Sequence, residues 1–128
     1  MSTRCRIAIE REGGYESIYS HSDGSPTGVG AILKHHYTTE EKVNELIALA
    51  DISSLGDTVA EEDTVSYNRW RNEGTTSQTH TSLKELQKYT EDSWGDYLYV
   101  FSNGKWNAYQ PDYDKESSWK VCKEFEKV

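Results

Sequence analysis

The chain has 128 residues, with 14 Lys and Arg against 22 Asp and Glu for a net charge of -8, four Trp, nine Tyr and two Cys. That length holds one domain; an apolar content of 34% implies a thin core leaning on aromatic rings, whose 12% share excludes a disordered chain. The excess acid argues against a protein that grips duplex nucleic acid through its phosphates.

Residues 4–10 alternate as a half-buried strand does, with Cys5, Ile7 and Ile9 on one face and Arg4, Arg6 and Glu10 on the other. Gly13 and Gly14 mark a turn, and residues 15–21 form its hairpin partner. Turn formers follow; Ser25 and Pro26 suit an N-cap and a first helical residue, and Val29, Ile32, Leu33 and His36 continue a helix over 26–36. Thr38 and Glu41 have capping-box spacing and open a second helix, whose apolar stripe is Val43, Leu46, Ile47 and Ala50. Residues 51–56 read as an ordered connection in which Ile52 and Leu55 dock on the core.

Residues 57–63 read as a solvated acidic loop, 64–70 as a strand, and 74–81 as the most mobile segment. Ser82 and Glu85 repeat the capping-box spacing and start a short helix reaching Thr90, with Leu83 and Leu86 inward. Residues 96–101 and 105–109 flank Asn103-Gly104, which accepts the positive φ angles of a type I′ turn, so they form a second hairpin. Asp114 then caps a terminal helix over 114–128, with Val121, Cys122, Phe125 and Val128 on one face and Trp119 beside it; this surface is expected to contact another subunit. The whole is an α+β single domain over 1–128: an N-terminal β-hairpin, two central helices, a C-terminal β-hairpin and a terminal helix.

No run of 18 apolar residues occurs, so no membrane span is expected. Residues 1–6 lead straight into a strand pattern without the basic start and apolar stretch of a secretory signal, which points to a cytoplasmic protein. In that setting Cys5 and Cys122 read as buried thiols rather than a bridge. The four His and two Cys show no CxxC, HxxxH or HExxH spacing, so neither a metal nor a cofactor is expected. No GxSxG elbow marks a nucleophile, and catalytic residues are expected to be absent. Gly24, Gly28 and Gly30 lack the Lys-Ser/Thr of a phosphate loop and read as close packing at a helix entry.

Two segments remain. Residues 21–24 form a polar turn before a helix, where free N–H groups and the positive helix end suit an anion, although an Asx-type turn is the better reading. Residues 67–71, Tyr-Asn-Arg-Trp-Arg, place two guanidiniums beside large rings, a group that stacks a base and binds phosphate. The same residues equally suit a strand end, with Trp70 over the core and both arginines paired to the acidic loop.

The runs Arg4-Cys5-Arg6-Ile7, Ser17-Ile18-Tyr19-Ser20-His21, Asp23-Gly24, Gly28-Val29-Gly30, His36-Tyr37, Glu41-Lys42-Val43, Leu46-Ile47 and Asp51-Ile52-Ser53-Ser54-Leu55-Gly56 carry a resemblance. They are similar to a family of small phage and prophage proteins with the pattern S-I-Y-C-H-W-D-G, then G-V-G, H-Y and G-D-I-S-S-L-G. Weaker likeness continues through Tyr67, Arg69, Arg71 and Asn103-Gly104-Lys105-Trp106, and leaves the last helix outside. Ser20 and Ser22 stand where the pattern has Cys and Trp, and Ala50 where it has Gly, so the turn lacks the ring that would stack a ligand. The chain also resembles the Thoeris anti-defence proteins, oligomeric sponges that bind cyclic ADP-ribose-type immune signals without cleaving them.

The resemblance implies a non-enzymatic viral anti-defence protein of the infected bacterial cytoplasm. It would be a homo-oligomer that sequesters a nucleotide-derived signal between subunits. The ligand residues nominated here rest on residue chemistry instead: Arg4, Arg69 and Arg71 for phosphate, Tyr19, Trp70, Trp106 and Tyr109 for the base, and His21 for ribose. A second class of function is an acidic inhibitor of a nucleic-acid-binding defence complex, as some anti-CRISPR proteins are. It is motivated by 12 acidic against 5 basic side chains in residues 1–64, compared with 10 against 9 in 65–128. A third is an enzyme using His21 and Asp23 as an acid/base pair.

Overall fold

Cys5–Arg11 (β1) and Gly14–Ser20 (β2) pair as the first hairpin, closed through Glu12 and Gly13, the latter at φ +80°; β1 is buried continuously from Cys5 to Ile9, on both faces and not on one as its alternation suggests. The computed structural model describes residues 3–115 and 118–128. Pro26–Gly30 forms a π-helical turn that runs directly into helix α1 (Ala31–His36), so the first expected helix is present with a widened entry. Helix α2 (Glu40–Ile47) is capped by Thr39, whose hydroxyl accepts the Lys42 N–H, one residue later than the Thr38 spacing suggests. Ile52–Ser54 (β3) is the expected docking connection, with Ile52 and Leu55 buried.

The strand expected over 64–70 is cut short. Val65–Ser66 (β4) pairs with β3, and then Ser66 caps a one-turn helix α3 (Tyr67–Arg71) by accepting the Arg69 N–H. The segment expected to be most mobile contains strand β5 (Gln78–His80), which pairs with Tyr15–Ser17 of β2 and buries His80. Helix α4 (Leu83–Asp92) follows, capped by Ser82 as its spacing predicts. Tyr97–Ser102 (β6) and Lys105–Pro111 (β7) form the second hairpin, with Asn103 at φ 54° and Gly104 at φ 78° meeting the type I′ requirement.

The terminal helix over 114–128 is corrected. The Asp112 N–H donates to the Ser118 carbonyl and closes a loop that returns Trp119–Val121 (β8) antiparallel to β7, leaving only a 3₁₀ turn at Lys123–Lys127. Residues 116 and 117 of that expected helix lie outside the described residues. Asp112, not Asp114, does the capping here, its carboxylate accepting the Asp114 N–H at 3.0 Å. Phe125 and Cys122 are buried against the chain's own core, so the face expected to meet another subunit is largely internal; Val121 stays exposed.

Among the described residues the strands form one mixed sheet in the order β4-β3-β2-β1-β6-β7-β8, with β5 also on β2. Sheet and helices make a small α+β domain, and no helix is long and apolar enough to cross a membrane. Cys5, Ile7, Ile9 and Ile18 face α1, α2 and Phe125 in the main core. The other sheet face carries Ala8, Leu98 and Val100 under Leu86 of α4. Tyr99 fastens the β1–β6 centre to the helix entry, its hydroxyl donating to the Gly24 carbonyl at 2.7 Å; burial raises its pKa. Cys5 and Cys122 are both free and buried.

Candidate functional site

Helix α3 sets out one group of side chains. Asn72, in the left-handed region at φ 52°, ends the helix after Arg71. The Arg71 guanidinium then lies 4.1 Å from the Trp70 ring centroid and 6.0 Å from that of Tyr67, with Glu73 as its ionic partner at 3.6 Å. Trp70 is 57% exposed. Next to it runs a groove of about 460 Å³ lined by Ser53, Glu61, Thr64, Ser66, Arg69 and Trp70. Arg69 is engaged in holding that groove together: Nη1 donates to the Val59 carbonyl at 2.8 Å and Nη2 to the Thr64 carbonyl at 2.7 Å. It therefore grips the backbone of the acidic loop, not its carboxylates.

The second group lies on the sheet face away from the main core. Arg6 is opposite Tyr19 across β1 and β2, and Arg4 and His21 follow just beyond, at the same end of the sheet. Arg6 is 3% exposed; its Nε donates to Ser17 Oγ at 3.0 Å, its Nη2 to the Ser17 carbonyl at 3.4 Å, and the Tyr89 ring centroid is 4.7 Å from its Cζ. Burial lowers the Arg6 pKa, with Tyr89, Asp51, Cys5 and Tyr19 acting in the opposite direction. Arg4 Nε is buried with no hydrogen-bond partner, while its backbone N–H donates to Asp96 Oδ2 at 3.1 Å. Among the described residues neither arginine has a carboxylate within ion-pair distance.

Tyr19 connects the two groups. Its N–H donates to Asp51 Oδ1 at 3.0 Å, and its hydroxyl lies 2.7 Å from His21 Nδ1. Burial raises its pKa, Arg4 opposes this, and Tyr67 of α3 is close enough to add to the rise. One hydrogen serves the contact between them, so the pair leaves a donor over: His21 Nε2–H if the hydroxyl donates to Nδ1, or the Tyr19 O–H if Nδ1 is the donor.

Six of the eight nominated residues thus lie at these two places, Arg4, Tyr19 and His21 on the sheet and Arg69, Trp70 and Arg71 on α3. Trp106 and Tyr109 lie apart from both groups. The Trp106 indole N–H donates to the Tyr37 carbonyl at 2.8 Å and its ring meets Phe101 edge-on at 5.2 Å, while Tyr109 packs on the Ala8–Leu86 cluster. Both sit on β7, separated from β2 by β1 and β6.

The polar turn at 21–24 is also consumed internally. The Gly24 N–H donates to Thr3, the Val29 N–H to Asp23, and the Gly28 and Gly30 N–H groups to Ser25. A Cβ on Gly28 would collide with the Asp23 carbonyl, the close packing anticipated for these glycines. His21 is bonded to Tyr19 and not to Asp23, so no His–carboxylate pair forms there.

Arg6, Asp51, Tyr67 and Tyr89 were not nominated. Arg6 was legible, since its alternation put it on Arg4's face, but its cover by Tyr89 depends on where α4 lands. Among the described residues no group of three or more His, Cys, Asp or Glu is placed to hold a metal ion. Compared with protein-family models, curated proteins and solved structures, the chain matches none.

Proposed function

We propose that this protein is a non-enzymatic binder that sequesters a phosphate-bearing nucleotide signal, of the cyclic ADP-ribose or cyclic oligonucleotide type, as a phage protein acting against bacterial defence. The observation that carries the reading is the exposed Trp70 ring with the Arg71 guanidinium 4.1 Å from it, beside the groove of about 460 Å³. A π-face receives a base, a guanidinium receives a phosphate, and a groove of this size holds a small nucleotide. A homo-oligomer in the cytoplasm of the infected cell belongs to the same proposal, and sedimentation of the purified protein tests the assembly.

Calorimetry with cyclic ADP-ribose isomers and a cyclic dinucleotide, followed by recovery of the ligand from denatured protein, tests the binding. The expected result is saturable heat, intact ligand, and a loss of roughly tenfold or more in affinity in Trp70→Ala, since one stacked base is worth about 1–3 kcal/mol. No heat with any of these nucleotides sinks the reading, and turnover of the ligand would replace sequestration with catalysis. The acidic-inhibitor alternative draws on Glu61, Glu62 and Asp63, all exposed on one turn. Neutralising Glu62 and Asp63, which do not line the groove, leaves nucleotide heat nearly unchanged if the binding reading is right, whereas a phosphate mimic would lose inhibition and its salt dependence.

A further inference from the structure

We infer that the sheet face carrying Arg4, Arg6, Tyr19 and His21 is a binding site for a compact oxyanion, either inorganic phosphate or the phosphate group of an ester. The inference goes beyond the nucleotide reading because it needs neither α3 nor a base.

Arg6 spends Nε and one Nη2 hydrogen on Ser17, and no hydrogen bond among the described residues uses its Nη1. Arg4 Nε is a buried donor without an acceptor. Tyr19 and His21 satisfy one another once and retain one donor that their mutual bond does not use. The two nearest carboxylates are already committed to the main chain, Asp51 to the Tyr19 N–H and Asp96 to the Arg4 N–H, and both stand beyond ion-pair distance from the guanidiniums.

Among the described residues this face lacks an acceptor carrying negative charge within ion-pair distance of either guanidinium. Arg6 is too buried to make the contact itself, but its charge is fixed and poorly screened at that depth. Arg4, Tyr19 and His21 make the contact. An oxyanion suits donors gathered at one end of a sheet face, as charge-assisted hydrogen bonds to guanidinium are the strong ones.

The test titrates inorganic phosphate, and separately ribose 5-phosphate, into the full-length protein while following histidine ring resonances and heat. Sodium chloride at matched ionic strength serves as the control. Saturable shifts of the His21 signals are expected with phosphate, absent with chloride. The phosphate affinity read from the His21 resonances should fall by about tenfold or more in Arg4→Gln, the scale of one charge-assisted hydrogen bond, and those His21 shifts should persist in Arg71→Ala, whatever heat α3 contributes. Tyr19→Phe, which keeps the ring, is the second variant and should weaken binding several-fold.

Binding of ribose 5-phosphate alone supports the site and assigns it to esters. Shifts reproduced by chloride, no saturable binding of either compound, wild-type affinity in both Arg4→Gln and Tyr19→Phe, or loss of the His21 shifts in Arg71→Ala overturns it. Nucleotide heat that survives Arg4→Gln, with no phosphate binding, removes this site and leaves α3 standing. Phosphate binding without nucleotide heat does the reverse.

Discussion

Ser17 Oγ sits between Arg6 and His80, accepting from Arg6 Nε at 3.0 Å and lying 2.8 Å from His80 Nε2. Ser17 is fully buried, so its single hydroxyl hydrogen needs an acceptor within the protein, and His80 Nε2 is the one in reach. That assignment makes His80 neutral in the folded state, with its proton on Nδ1. A proton added at Nε2 would turn two adjacent groups into like charges and leave the serine hydrogen without a partner.

A pH dependence follows. Burial lowers the His80 pKa below its ordinary 6.5, Arg6 lowers it further, and Glu85 acts the other way. The unfolded chain therefore takes up this proton at higher pH than the folded one, so the stabilisation is complete above pH 6.5 and declines as pH falls toward the lower folded value. Glu16, held below its ordinary 4.5 chiefly by the Ser77 hydroxyl, loses its contribution only at still lower pH. Melting temperatures between pH 8 and 5 should fall across the first window in the wild type and stay nearly level there in His80→Gln. An equal slope in the variant assigns the effect elsewhere.

Ser82 should matter beyond its own helix. Its hydroxyl accepts the Glu85 N–H at 3.1 Å at the start of α4, the helix that lays Tyr89 over Arg6. Ser82→Ala is expected to cost about 1 kcal/mol, the usual worth of an N-cap. Hydrogen exchange should accelerate in α4 and at the Arg6 amide while β7 stays protected; uniform acceleration would mean that α4 does not open as a separate unit.

Cutting the chain after Tyr113 removes Cys122 and Phe125 from the core and β8 from the sheet. Such a truncation should unfold or strongly destabilise the protein and not merely change its assembly. Phe125→Ala isolates the packing part and should cost about 3–5 kcal/mol in denaturant titration. A cost below about 1 kcal/mol would show that the final turn is not integral to the core.

The thiols should be silent. Burial pushes the Cys5 pKa up to about 12, and Cys122 is 1% exposed. Iodoacetamide at pH 8 is expected to label neither cysteine in the native protein and both after denaturation. Prompt native labelling of Cys5 would contradict the packing of β1 against the helices.

Both hairpins were legible because their signals are local. Alternation in β1 and the Asn103-Gly104 pair each act over a few residues, and the cap at Ser82 acts over three. Errors came where one pattern serves two structures. Val121, Cys122 and Phe125 have helical spacing, yet the Asp112–Ser118 closure folds the segment back as β8. Tyr67 to Trp70 reads as a strand until Ser66 caps it. The site was partly legible: residue chemistry picked Arg4, Tyr19, His21 and Trp70, but it also picked Trp106 and Tyr109, which pack on β7, beyond β1 and β6. Nothing local to Arg6 announces Tyr89, which arrives 83 residues later through a helix crossing the sheet.

The parallel pairing of β1 with β6, fastened where the Arg4 N–H meets Asp96 across 92 residues, sets the timing of folding. On the ribosome the first hairpin emerges with one edge of β1 bare, and that edge stays open to wrong partners until the last third of the chain has been made. Contacts of such sequence separation place this small protein among the slower folders of its size. Its most vulnerable interval is therefore its synthesis, when the central strand waits for its neighbour.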